Sequence, residues 1–276
     1  MYKVLLNRYQ QGQRTSKFPK EEIILPAIYR GRPQLSALEQ LGETKKSTDE
    51  CIKSCPFSAL ALDGKERPSL NLDMGKCVFC GECEKNSGGE LVRFTNDFKM
   101  GADQRDKLIV TSASSTHSKK STHGDSTNGN ELNDFLQARS RELKKMFSRS
   151  LQLRQVSAGG CNACEADINV LNTPFFDLAR FGIQIVASPR HADGLLVTGP
   201  VSKNMKEALL KSYHAVPAPK MVIAVGSCAI AGGPFHASDE VLGGVMQLLP
   251  VDLFIPGCPP HPLTTLFAIL NYFGIL

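Results

Sequence analysis

The sequence predicts an α/β chain: a doubly wound, mainly parallel sheet preceded by a small α+β domain. Three observations carry this expectation. From residue 151 onward, short β-rich runs alternate with segments of helical periodicity, the pattern of parallel β-α-β units. Ahead of them, residues 111–130 (TSASSTHSKKSTHGDSTNGN) are almost wholly Ser, Thr, His, Lys, Gly, Asn and Asp. Such a stretch buries too little apolar surface to offset its ordering entropy and reads as a flexible linker. The nine cysteines divide around this seam, five before it and four after. The expected organisation is a cysteine-bearing front domain at 1–110, a linker at 111–130 and an α/β back domain at 131–276.

In the back domain the expected strands are 151–156, 182–187, 194–198, 220–225 and 251–255, and the expected helices 165–171, 202–213, 240–249 and 262–272. An amphipathic helix precedes them, with Leu132, Phe135, Leu136, Leu143, Met146 and Phe147 at helical spacing, and reads as a bracket packed on the back domain. No repeat of fixed period is present. With such a linker, the two domains are expected to move freely with respect to one another.

Composition narrows the function classes. Hydrophobic content of 42% over 276 residues permits a real core, and the net charge of +5 is mild. There is no Trp and only 7% aromatic residues, so no base-stacking surface is indicated, and Lys45-Lys46 and Lys144-Lys145 read as solvated surface rather than a nucleic-acid patch. The apolar run at 1–9 is too short for a secretory signal. The longest apolar stretch, 263–276, is broken by Thr264, Thr265 and Asn271 and falls short of the roughly 20 residues a membrane span needs. A cytoplasmic location is expected, where thiols stay reduced, and nine cysteines there point to metal rather than to disulfides.

The front cysteines have a cluster spacing. Residues 77–83 read CVFCGEC, so Cys77, Cys80 and Cys83 can wrap a short loop around three irons of a cubane, while Cys55, followed by Pro56, supplies a remote fourth thiolate. In ferredoxins with two clusters, the last cysteine of each motif serves the other motif's cluster. A full first motif would place cysteines at 45 and 48, where this chain has Lys45 and Thr48, and a full second motif would close at 87, where it has Ser87. These losses fall on one cluster, whose remaining candidate ligand is Cys51, so one cluster is deleted as a unit and the other retained. Cys51 is then a leftover thiol of structural character. Zinc is the alternative metal, although it favours two separated ligand pairs.

The back cysteines lie in GGCNACE (159–165), GSCAIAGG (226–233) and PGCPPHP (256–262), each after an expected strand. Ligands in open parallel sheets bind at the carboxyl ends of strands, so Cys161, Cys164, Cys228 and Cys258 are expected to converge on one edge. Gly159, Gly160, Gly226 and Gly257 allow tight turns there. Four convergent thiolates satisfy a second [4Fe–4S] cluster, for two in all. Neither a GxGxxG nor a P-loop occurs, and His191 and His214 belong to no motif and read as surface residues.

Two resemblances add to this reading. PAIYRGRP (26–33), CPFSAL (55–60) and KCVFCGEC (76–83) resemble the two-cluster ferredoxin subunit of respiratory complex I and of membrane-bound hydrogenases. SLQLRQVSAGGCNACEADINVLNTP (150–174), TGPVSKNM (198–205), VGSCAIAGGPF (225–235) and PGCPPHP (256–262) resemble the small subunit of [NiFe] hydrogenases, in the energy-converting, membrane-bound group that shares ancestry with complex I. That likeness implies a flavodoxin-like back domain behind a ferredoxin-like front domain, and a cluster beside the [NiFe] site of a hydrogenase-like large subunit. Further electron-transfer and membrane subunits are implied, with this chain peripheral on the cytoplasmic face. It implies that catalysis occurs on the partner, with Glu165 as a proton-transfer residue, though Glu165 also suits a helix N-terminus. His261 is either a hydrogen-bond donor to cluster sulfur or a capping or interface residue. A complex I-like carrier oxidoreductase without nickel and a cluster-bearing assembly or sensing module remain alternatives.

Overall fold

The structure, a computed structural model, describes residues 2–21, 23–37, 45–64, 69–112 and 150–276. The front half holds α1 (Tyr2–Gln11), β1 (Pro33–Leu35), α2 (Lys45–Lys53), β2 (Leu60–Asp63), β3 (Ser69–Asp73), α3 (Glu82–Asn86), β4 (Val92–Phe94) and β5 (Ile109–Thr111). The back half holds β6 (Leu151–Ser157), α4 (Ala163–Val170), β7 (Ile183–Ile185), β8 (Gly194–Thr198), α5 (Lys203–Ala215), β9 (Met221–Val225), α6 (Ser227–Ala231), β10 (Leu253–Ile255) and α7 (Pro262–Tyr272).

The five back strands form one sheet in the order β10-β9-β8-β6-β7, and every pair in it is parallel. Counted along the chain this is the 2-1-3-4-5 order of the flavodoxin-like fold, whose switch point lies between its first and third strands, here β6 and β8. The central strands β8 (GLLVT) and β9 (MVIAV) are buried at every position, as a parallel sheet covered on both faces requires. The front half is antiparallel: β2, β3 and β5 make a three-stranded sheet, and β1 pairs with β4.

All five expected strands form, and α7 spans the expected residues. It begins at Pro262, whose fixed φ suits a first helical position, and the His261 ring nitrogen Nδ1 caps it by accepting from the Leu263 N–H at 3.1 Å. The helix expected over 240–249 does not form. Gly243 and Gly244 adopt φ of 76° and 121°, which breaks the helical path and leaves one 3-10 turn at Val245–Gln247. Of the expected linker, Thr111 is still paired with Asn71 in β5 and Ser112 is buried. The rest of it, and the amphipathic bracket helix, lie outside the described residues.

The freedom expected between the halves is not what the structure shows. Ala102 forms a reciprocal backbone bridge with Phe254, donating at 2.9 Å and accepting at 2.7 Å, and so covers the outer edge of β10. The Arg180 guanidinium donates to the carbonyls of Ser16 at 2.5 Å and Phe18 at 2.8 Å. Both hydrophobic clusters cross the boundary: Leu70, Leu72 and Met100 share one with Val156 and Leu195, while Phe18, Leu25 and Phe98 share the other with Ile223 and Leu266. The halves are held together by this chain's own core.

Leu196 is fully buried in the middle of β8. Leu196→Ala is expected to lower the stability of the whole chain by about 2–5 kcal/mol, read as a shift in the urea midpoint. An unchanged midpoint would contradict a core shared by both halves.

Candidate functional site

Three strand ends meet at the carboxyl edge of the parallel sheet. β6 runs through Gly159 and Gly160 to Cys161 and to Cys164 in the first turn of α4. β9 passes through Gly226 into α6 with Cys228, and β10 through Gly257 to Cys258. Two backbone bonds join the last two turns, Gly226 N–H to the Ile255 carbonyl and Ser227 N–H to the Gly257 carbonyl, both at 2.8 Å. The switch-point loops are equally close, since a Cβ on Gly199 would stand 2.5 Å from the Gly160 nitrogen.

Gly226 is the tightest of these positions for the thiols. Its φ is +89°, and a Cβ there would lie 2.6 Å from Cys164 Sγ. Cys164 and Cys228 are buried, whereas Cys161 and Cys258 are exposed. Burial, and after it the charge of the neighbouring thiols and Glu165, pushes the Cys228 thiol up to about 12, and the same causes raise Cys164. Cys258 is raised by burial and then by Cys161. The sequence-predicted quartet is thus gathered in one place, and its members disfavour one another's ionised forms. A polycationic core among them removes that repulsion, as does the positive N-terminal end of α4, so the donor set fits an iron–sulfur cluster.

Cys55, Cys77, Cys80 and Cys83 line a single recess in the front half, walled by apolar groups such as Phe57, Leu72 and Phe94. The loop around it is held by Phe79 and Gly81 at φ of 56° and 82°. The Phe79 N–H donates to Cys77 Sγ and the Ala59 N–H to Cys55 Sγ, each at 3.3 Å. Burial first, then neighbouring thiols, pushes Cys77 and Cys83 up to about 12. Arg30 lies across the loop, since a Cβ on Gly81 would stand 2.5 Å from its Nε. Among the described residues, no three His, Cys, Asp or Glu side chains converge closely enough to hold a single metal ion.

Of the positions the sequence reading gave to a missing second cluster, Thr48, Cys51 and Ser87 are buried, and Cys51 Sγ donates to the Cys83 carbonyl at 3.5 Å. Glu165 is buried in the first turn of α4 and accepts from Thr198 Oγ1 at 2.6 Å. His261 acts as a helix cap and packs edge-on against Tyr29 at 5.4 Å, while His191 and His214 are exposed. Sequence reasoning missed Arg30, Thr198 and Ser227. The first two carry no local signal, whereas Ser227, between Gly226 and Cys228, is a small polar residue at a strand-end turn.

The fold and its glycine–cysteine turns define an α/β subunit with two thiol-lined centres. Residues 161–272 match the sequence profile described as NADH ubiquinone oxidoreductase, 20 Kd subunit. The chain is 45% identical over 134 residues to formate hydrogenlyase subunit 7 of Escherichia coli, covering 49% of this chain and 52% of that protein. It is 42% identical over 135 residues to a probable membrane-bound hydrogenase subunit of Pyrococcus furiosus, covering 49% of this chain and 81% of that one. It is 46% identical over 102 residues to an NADH-quinone oxidoreductase subunit of Bacteroides thetaiotaomicron, covering 37% of this chain and 52% of that protein. The chain thus spans about half the length of the first and third of these relatives. It belongs to the NADH ubiquinone oxidoreductase 20 kDa subunit family, to which the sequence profile and these relatives assign it.

Gly226→Ala is expected to displace Cys164 Sγ and to lower the iron bound per chain. Iron and labile-sulfide assays on anaerobically purified protein check this, and full iron content in the variant would contradict the cradle described at Gly226.

Proposed function

We propose that this chain is the iron–sulfur electron-transfer subunit of a membrane-associated, hydrogenase-type oxidoreductase complex. In this reading one [4Fe–4S] cluster is held by Cys161, Cys164, Cys228 and Cys258, and another by Cys55, Cys77, Cys80 and Cys83. The observation that carries it is the convergence of three strand-end turns on one sheet edge, where two thiols face inward and two face out. When bound, each cluster supplies one-electron transfer, and the chain's residues set its surroundings.

Buried Cys164 and Cys228 anchor the inner side of the back site, while exposed Cys161 and Cys258 leave its outer side for a partner to cover. A hydrogenase-like large subunit seated there would place its [NiFe] centre next to this site. That arrangement agrees with the likeness to two hydrogenase-complex subunits. In this reading bond chemistry belongs to the partner. Buried Glu165, bonded to Thr198, stands beside Cys164 at the same edge and is the candidate to take or give a proton there. The front site then passes electrons to or from a further subunit. Among the described residues, no helix is long and apolar enough to cross a membrane, so attachment through partner subunits is proposed.

A second reading keeps both clusters but pairs the chain with a nickel-free large subunit that handles a quinone or another carrier. It is favoured by the 46% identity to an NADH-quinone oxidoreductase subunit. The complex co-purified anaerobically with this chain separates the two. Nickel together with hydrogen-dependent viologen reduction is expected for the first reading, and iron and sulfide without nickel or that activity would replace it with the second.

Two substitutions test the assignment of ligands. Cys228→Ser and Cys80→Ser are each expected to lower bound iron from about eight to about four atoms per chain, removing different cluster signals in electron paramagnetic resonance. Loss of the same signal from both variants would overturn the division into two sites.

A further inference from the structure

We propose that the Ser227 hydroxyl is the bridge through which the two cluster sites exchange electrons; this rests on the reading that Cys77 and Cys228 ligate different clusters. Ser227 is buried, and its Oγ donates to the Cys77 carbonyl at 2.6 Å, across 150 residues of sequence. This is the short end of the range for O–H···O bonds. The next residue along the chain is Cys228. The Gly257 carbonyl, directly before Cys258, accepts the Ser227 backbone N–H at 2.8 Å and lies 3.1 Å from the same Oγ, so the nearer Cys77 carbonyl is the main acceptor of its one hydroxyl proton. One residue therefore touches a front-site ligand and the turns that carry two back-site ligands.

The front ligand it reaches is on the inner side of its loop. Cys77 is buried where Cys80 is exposed, so the tie runs from the inward face of the front site to the buried interior of the back one. Between Cys77 Sγ and Cys228 Sγ the path is covalent throughout except for this one hydrogen bond. Electronic coupling falls far more steeply across a through-space gap than along bonded atoms, and a short hydrogen bond replaces such a gap. The flanking structure keeps the path fixed: Ala102 bridges Phe254, and a Cβ on Gly75, two residues before Cys77, would stand 2.8 Å from Ile230 Cγ2. In the step itself one electron leaves one cluster as the other gains it, and the hydroxyl proton stays on Oγ. Ser227 is a positioning and coupling residue and ligates no iron.

The test uses the full chain, purified anaerobically with both clusters, as wild type, Ser227→Ala, Ser227→Thr and Ser227→Cys. Iron content counts the clusters, and the spin–spin broadening of the fully reduced protein reports their separation. The rate at which a photoinjected electron re-equilibrates between them reports the coupling. In Ser227→Ala, iron content and broadening are expected to match wild type while re-equilibration slows at least several-fold. Ser227→Thr keeps the donor and should restore the rate, and Ser227→Cys, with its weaker donor, should fall between. If the alanine variant loses its clusters, the Thr and Cys variants decide by the same comparison. Wild-type rates in the Ala or Cys variants overturn the bridge, and so does a slowing accompanied by lost broadening, which marks a shift of the domains instead. A wild-type chain that binds only one cluster fails at the iron count, and there the two-cluster reading falls and takes the bridge with it.

Discussion

The backbone at Gly226 is the constraint on which the back site depends. A parallel sheet delivers strand ends to one edge about 4.8 Å apart, but four sulfur atoms must meet in a space smaller than three ordinary turns would leave. At Gly226 a side chain would need to occupy ground that Cys164 Sγ holds, and the left-handed φ excludes most residues besides. The switch-point loops are bound by the same economy of space, with Gly199 pressed against Gly160. Absent side chains are as much part of this site as the thiols are.

Burial and neighbouring charge act on these thiols in the same direction. Removing Cys77, Cys83 and Cys228 from water raises their pKa to about 12, and each thiol worsens the position of the next. Such thiols stay protonated on their own, and in the proposed reading loading a cluster would release their protons, because thiolates are the ligands. The N–H groups aimed at Cys55 and Cys77 and the helix end at Cys164 are weaker contributions of the opposite sign.

The docking of the two halves turns a pair of sites into a fixed pair. Hydrophobic clusters that run through both halves, a backbone bridge on the outer strand and the Arg180 clamp on the N-terminal segment remove the relative motion that a polar linker suggests. A linker's composition describes the linker, and it says nothing about whether the surfaces on either side of it fit. Phe254 illustrates the point: in sequence it is one apolar residue of a short strand, and its bond to Ala102 exists only because β10 lies at the sheet edge.

Much of the fold was legible because local physics wrote it. Alternation of β-rich and helical runs marked every back strand and the helix that forms over 262–272. The Gly243-Gly244 pair was the signal that should have cancelled a helix over 240–249. By itself the sequence determined which cysteines are candidates, since loop spacing and strand-end placement are properties of the chain read in order. The tertiary structure decided which of them lie inward, that Cys51 bonds to Cys83, that Thr198 meets Glu165, and that Ser227 reaches Cys77. Each of those contacts joins residues far apart in the chain, or depends on which side of a surface a thiol ends up. No periodicity encodes that, because it arises only when elements distant in the chain pack against one another.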